Sequence, residues 1–123
     1  METRKIVTAL DAVTATTTSP AIDIGYAKKV TLLFTRANHS AGSSTFTVDG
    51  SIDGTTYVAL NTLIDNVTNT NAQTLTRVAS SVLSSNTSKI YALDLENFGY
   101  QFIKVTCTEG TDGTHSASVL VEY

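Results

Sequence analysis

Apolar and polar residues alternate one for one through several stretches of the chain, and a period of two is the signature of extended strands with one buried face. In 30–36, Val30, Leu32 and Phe34 fall on one face. In 45–51, Phe46 and Val48 oppose Thr45, Thr47 and Asp49. The segment 89–95 sets Ile90, Ala92 and Asp94 against Tyr91, Leu93 and Leu95, and 102–108 sets Ile103, Val105 and Cys107 against Phe102, Lys104 and Thr106. The last segment points Ala117, Val119 and Val121 one way and Ser116, Ser118 and Glu122 mostly the other. Phe34, Phe46, Val48, Val105 and Val119 are the core residues this pattern predicts.

Turn-forming residues separate these segments. The small and polar loop 37–43 predicts a hairpin between 30–36 and 45–51, and Asp53-Gly54 predicts a second, leading into 56–60. Residues 96–99 form a turn between 89–95 and 102–108, and the Gly/Thr-rich 109–114 predicts a hairpin into the final strand. Leu60, Leu63, Ile64 and Val67, and later Leu75, Val78, Ala79, Val82 and Leu83, fall at helical spacings. The Thr and Asn content of 66–76 and the pairs Ser80-Ser81 and Ser84-Ser85 argue instead for a strand over 74–82. With 6–10 and 21–24 the total is about eight or nine short strands, which predicts an all-β fold: an antiparallel, jelly-roll-like β-sandwich. No linker or repeat divides residues 1–123, so one domain is expected.

Composition narrows the function. Lys and Arg number 8 against 11 Asp and Glu, a net charge of -3, so a wide positive field for nucleic-acid phosphates is missing and no nucleic-acid partner is expected. Charged residues are only 15% of the chain, and Thr, Ser and Asn supply the polar surface in the manner of β-proteins. No run approaches the ~20 apolar residues of a membrane helix, and the alternating strands are too few and irregular for a membrane barrel. The charged start, Met1 to Val7, is followed by an apolar run broken at Asp11, and no signal peptide is read there.

Residues with chemical potential are scattered. Cys107 is the single cysteine, and His39 and His115 are read as loop residues with no nucleophile signature around them. Asp49, Asp53 and Asp65 lack the spacing of a calcium loop and are read as turn formers. The sequons at Asn38, Asn66 and Asn86 are expected by chance in a chain rich in Asn, Ser and Thr. Tyr26, Tyr57, Tyr91, Tyr100 and Tyr123 suit either strand packing or a sugar-stacking face. No catalytic residue, cofactor or metal is therefore expected. The candidate partner contacts are Arg4 and Lys5, with Lys28-Lys29 as a second basic pair. Residues 1–5 could form an arm that orders on a neighbour, or equally pair at a sheet edge.

The stretch Phe46-Thr47-Val48-Asp49-Gly50-Ser51-Ile52-Asp53-Gly54-Thr55-Thr56-Tyr57-Val58-Ala59-Leu60 resembles the S-x-D-G-x-x-aromatic hairpin of discoidin-like domains and of small bacteriophage structural proteins. The phage proteins match better, because Phe98-Gly99-Tyr100-Gln101-Phe102-Ile103-Lys104-Val105, a Gly/Thr-rich loop and a final strand follow in the same order. The resemblance implies a virion component such as a capsid decoration protein or a head or tail accessory subunit. Its implied partners are the major capsid protein or other virion proteins, bound as a homo-oligomer, a trimer being favoured, with synthesis in the host cytoplasm. A carbohydrate-binding or adhesion module is the alternative, using the tyrosines and the loops 38–44 and 109–114.

Overall fold

The computed structural model describes residues 3–66 and 75–123, and every regular element among them is a strand. In chain order these are β1 (Arg4–Val13), β2 (Thr17–Thr18), β3 (Ile22–Asp23), β4 (Lys29–Ala37), β5 (Ser44–Ser51) and β6 (Val58–Ala59). They continue with β7 (Leu63–Asp65), β8 (Arg77–Val78), β9 (Ser81–Leu83), β10 (Thr87–Leu93), β11 (Phe102–Thr108) and β12 (Thr114–Glu122). One antiparallel sheet runs β1-β12-β4-β10-β7-β8, and the other runs β2-β11-β5-β6, with β3 also on β11 and β9 also on β5. The fold is thus the expected antiparallel sandwich. It has twelve strands rather than eight or nine because fragments such as β2, β3, β6 and β8 span two residues each.

The helical spacings form no helix: Leu63 and Ile64 lie in β7, and Val78, Val82 and Leu83 in β8 and β9. The predicted strand over 74–82 is two short pieces in different sheets, its first residue lying outside the described ones, as does Val67.

Two predicted hairpins are corrected. β4 and β5 do not pair: β4 lies between β12 and β10 in the first sheet, while β5 pairs with β11 in the second. Nor do β11 and β12 pair, so loops 37–43 and 109–113 are arches that carry the chain from one sheet to the other. The connection from β10 to β11 crosses as well. Alternation is satisfied equally by a hairpin and by an arch, since in both each strand turns its apolar face inward, and sheets ~10 Å apart are easily spanned by such loops. The Asp53-Gly54 connection is a hairpin as expected, with Asp49 opposite Ala59 and Gly50 opposite Val58.

The interior is filled from both sheets. Leu32, Phe34, Ala117, Val119 and Tyr91 come from one, and Phe46, Val48, Ile103, Val105 and Cys107 from the other, all buried. The five residues predicted to form the core have no exposed surface.

Candidate interaction surface

The two ends of the sandwich differ in chemistry, and β4 is the place to begin. Arg36 has the same parity as Val30, Leu32 and Phe34, so its side chain enters the core and is fully buried. It donates to the carbonyls of Gly42 at 2.8 Å and Leu83 at 2.9 Å through one guanidinium nitrogen, and to those of Ala41 at 3.0 Å and Asp112 at 2.6 Å through the other. A planar fork of donors suits several carbonyls converging on one cation. Both arches are thereby fastened to a single side chain.

Asp112 completes the fastening from outside. Its carboxylate accepts from the hydroxyl and the N–H of Ser40 and lies 3.6 Å from the Arg36 guanidinium. These contacts, the Ser40 hydroxyl first, hold its carboxyl at about 2, below the usual carboxylate range. Asn38, at φ 54, donates to Thr114 Oγ1 at 2.6 Å, and the N–H of His39 donates to Asn86 at 2.7 Å. The loops 38–44 and 109–114 are therefore bonded to each other and, through His39 and Ser43, to Asn86 and Ser84.

His115 was expected in a loop. It lies instead on β12, fully buried, because it shares parity with Ala117, Val119 and Val121. Nε2 is 2.7 Å from Ser44 Oγ and Nδ1 is 3.2 Å from the Val13 carbonyl. In the tautomer with hydrogen on Nδ1, the ring donates to Val13 and accepts from Ser44, whose oxygen accepts in turn from the Gly110 N–H at 3.4 Å. The chain of bonds joins β1, β5 and β12. A serine beside a histidine has the composition of a nucleophile and base, but both side chains are sealed from solvent and the third position is a carbonyl instead of a carboxylate. His39 is in a loop, as expected.

The opposite end is open and apolar. Ser51 Oγ accepts from the N–H of Gly54 at 2.9 Å, and Asp53 Oδ1 accepts from Thr55 at 2.8 Å and Thr56 at 2.9 Å. The S-x-D-G segment is thus a self-bonded turn. These N–H donors, Thr56 first, lower the Asp53 carboxyl. The turn holds Ile52 outward, 79% exposed, and Val58 on β6 is 63% exposed. Phe98, half exposed, lies nearly parallel to Tyr100 with ring centroids 6.4 Å apart. A recess of about 420 Å³ lies between Ile52, Val58, Leu60 and Tyr100. At the same end Asp94 anchors the 94–97 turn, accepting from Glu96 and Asn97 and from Arg77 Nε at 2.6 Å. Burial alone would raise this carboxyl, yet the bonds from Arg77 and Asn97 hold it below its ordinary value.

The basic pairs reach this same end. Arg4 on β1 stands opposite Glu122 on β12, which stands opposite Lys29 on β4, so one member of each pair falls in a single cross-strand row with a carboxylate between them. Lys5 turns toward the sandwich edge, its ammonium 6.0 Å from the Tyr123 ring. Thr3, Arg4 and Lys5 are therefore tied to the sheet edge, with the Thr3 carbonyl accepting from the Tyr123 N–H at 2.8 Å. Met1 and Glu2 lie outside the described residues.

Other candidates are not brought together. Asp49 and Asp65 lie in different sheets, and among the described residues no three His, Cys, Asp or Glu side chains gather. The tyrosines share no face: Tyr91 is buried beside Phe34, Tyr57 lies 4.3 Å beneath the Lys104 ammonium, and Tyr26 sits at φ 65 in an exposed loop. The sequence pattern does not single out Ile52, Val58 and Phe98, because each is an isolated apolar residue outside the long alternating segments. Their signal was position, each lying in or next to a turn.

No family model and no curated protein sequence matches the chain. Solved structures do share the fold. The SPBc2 prophage-derived protein YomS superposes with a TM-score of 0.65 at 15% identity, over 97% of this chain and 93% of that one. The PBSX exported protein XepA superposes with a TM-score of 0.69 at 17% identity, over 98% of this chain but 39% of its own length. At such identities the likeness is one of fold.

Proposed function

We propose that the protein is a phage-associated structural subunit without catalytic activity, a capsid decoration or head or tail accessory protein that docks on other virion proteins through its apolar end. The observation that carries this reading is the contrast between the two ends. One is closed by bonds from Arg36 and Asp112, while the other exposes Ile52, Val58 and Phe98 and carries Arg4 and Lys29 on its other sheet. Exposed apolar groups gathered at one end of a domain mark a protein-docking surface. The fold shared with YomS, whose name ties it to a prophage, supports the phage setting. A buried Ser44–His115 pair, out of reach of a substrate, is consistent with an assembly role.

Particles purified from a lysate containing the tagged protein test this. The protein is expected on particles at a fixed copy number, and a variant carrying Ile52→Ser and Phe98→Ser is expected to lose occupancy about tenfold or more while its circular dichroism is unchanged. Particles free of the wild-type protein overturn the reading.

The near-parallel rings of Phe98 and Tyr100 favour a second reading, a platform for the apolar face of a sugar. Binding on a glycan array, abolished by Phe98→Ser, would select it.

A further inference from the structure

We infer that the chain pairs with a second copy of itself along the free edge of β1, in an antiparallel register centred on Ile6. The inference concerns this edge alone and does not rest on the virion reading.

Backbone direction comes first. The Tyr123 N–H donates to the Thr3 carbonyl, and Arg4, Lys5, Ile6, Val7 and Thr8 stand opposite Glu122, Val121, Leu120, Val119 and Ser118 in turn. In an antiparallel ladder bonded and non-bonded pairs alternate. Thr3, Lys5 and Val7 therefore spend their N–H and C=O groups on β12, while those of Arg4, Ile6 and Thr8 point away from it. The N–H of Lys28 donating to the Glu122 carbonyl fits this phase, since Glu122 faces β4 and not β1. Among the described residues no strand other than β12 pairs with β1.

The edge is regular only in part. Register shifts between Thr8 and Leu10 and between Leu10 and Val13, together with Ala12 at φ 50, disrupt its second half. Bulges of this kind protect an edge from pairing. The first half has no bulge, and Ile6 there is 74% exposed. A charged residue can also guard an edge, but Lys5 turns toward the Tyr123 ring, which leaves Arg4 as the one outward cation in the regular half.

Charge selects the register. Centring on Ile6 sets Ile6 against Ile6 of the second copy, Lys5 against its Val7 and Arg4 against its Thr8, so each cation meets a neutral residue. Centring on Arg4 would oppose two arginines, and centring on Thr8 would bring Arg4 onto the bulge at Ala12. The chosen register offers about six main-chain hydrogen bonds from the outward groups. It also continues the solvent-facing row Ile6, Leu120, Thr31 and Ala92 across the axis into its copy. A two-fold edge pair closes on itself, which makes the product a dimer and not the trimer expected from resemblance.

Sedimentation equilibrium of the purified protein tests this without any particle. The expected result is a reversible species of twice the 13.1 kDa chain mass, with a dissociation constant on the order of micromolar, as befits a small interface. Ile6→Pro removes an N–H that points outward and leaves the β12 ladder intact, so a folded monomer is expected. Ile6→Lys, which places two like charges across the axis, is expected to weaken association about tenfold or more and serves if the proline variant does not fold. A wild-type monomer at all concentrations, a trimer, or a dimer indifferent to the Ile6→Lys change overturns the inference.

Discussion

Phe34 on β4 and Phe46 on β5 stack across the interior with ring centroids 4.7 Å apart and planes 13° from parallel. Each ring comes from a different sheet, so the pair joins the two layers at their centre. Phe46 also meets the His115 ring edge-on, and Phe34 meets Tyr91. Phe46→Ala is expected to cost about 3–5 kcal/mol, a large part of the stability of a small domain. Urea denaturation measures it, and an unchanged midpoint would contradict the packing.

Replacing Arg36 by Met keeps an unbranched apolar stem but removes the guanidinium and strands the carbonyls of Ala41, Gly42, Leu83 and Asp112. The expected cost is about 2–5 kcal/mol, because buried acceptors lose their partners together. Arg36→Lys should recover little, since an ammonium lacks the fork. Thermal melts give the stability, and limited proteolysis should report cleavage in 38–43 and 109–113.

Acid should act at Asp112. Its carboxyl sits at about 2 in the folded protein, below the ~3.9 of an unfolded chain. A depressed value means that its ionised form contributes above pH ~4, and that the contribution is lost as pH falls through about 2. The amide resonances of Ser40 and Ala41 should move with that midpoint. Asp112→Asn should abolish the titration.

Cys107 faces the core on β11, and burial first, then the charge of Glu109, pushes its thiol up to about 11 against the opposing pull of Arg36. The thiol is therefore protonated at pH 8 as well as hidden. Reaction with a disulfide reagent should be at least about a thousandfold slower than in the unfolded chain. Fast labelling in native buffer would show that β11 opens locally.

Alternation made the buried faces legible, from Phe34 and Phe46 through to Val119. It also carried information about two polar residues that was passed over: Arg36 and His115 keep step with the apolar positions of β4 and β12 and are buried with them. Side-chain type argued for solvent, while parity argued for the core, and parity prevailed because loop carbonyls and Ser44 supply the missing partners. Pairing was less legible. Loops 37–43 and 109–113 have hairpin composition, and what makes them arches is the convergence of their carbonyls on Arg36, a relation among residues distant in sequence. The open end was the least legible part, since Arg4 and Lys29 become neighbours only through Glu122.

The arches have a consequence in time. Of the consecutive long strands β4, β5, β10, β11 and β12, none pairs with the next, and β1 finds its partner in β12, with Ala12 bonded to Ser116 across 104 positions. Among the described residues, local zipping between consecutive strands can start only at the short β5–β6 and β7–β8 pairs. Most of the ladder must await the meeting of distant segments, and each such closure costs entropy before any contact repays it. Refolding after a denaturant jump should accordingly occupy milliseconds to seconds, and until β12 arrives the flank of β4 that it will occupy stands open to any other strand within reach.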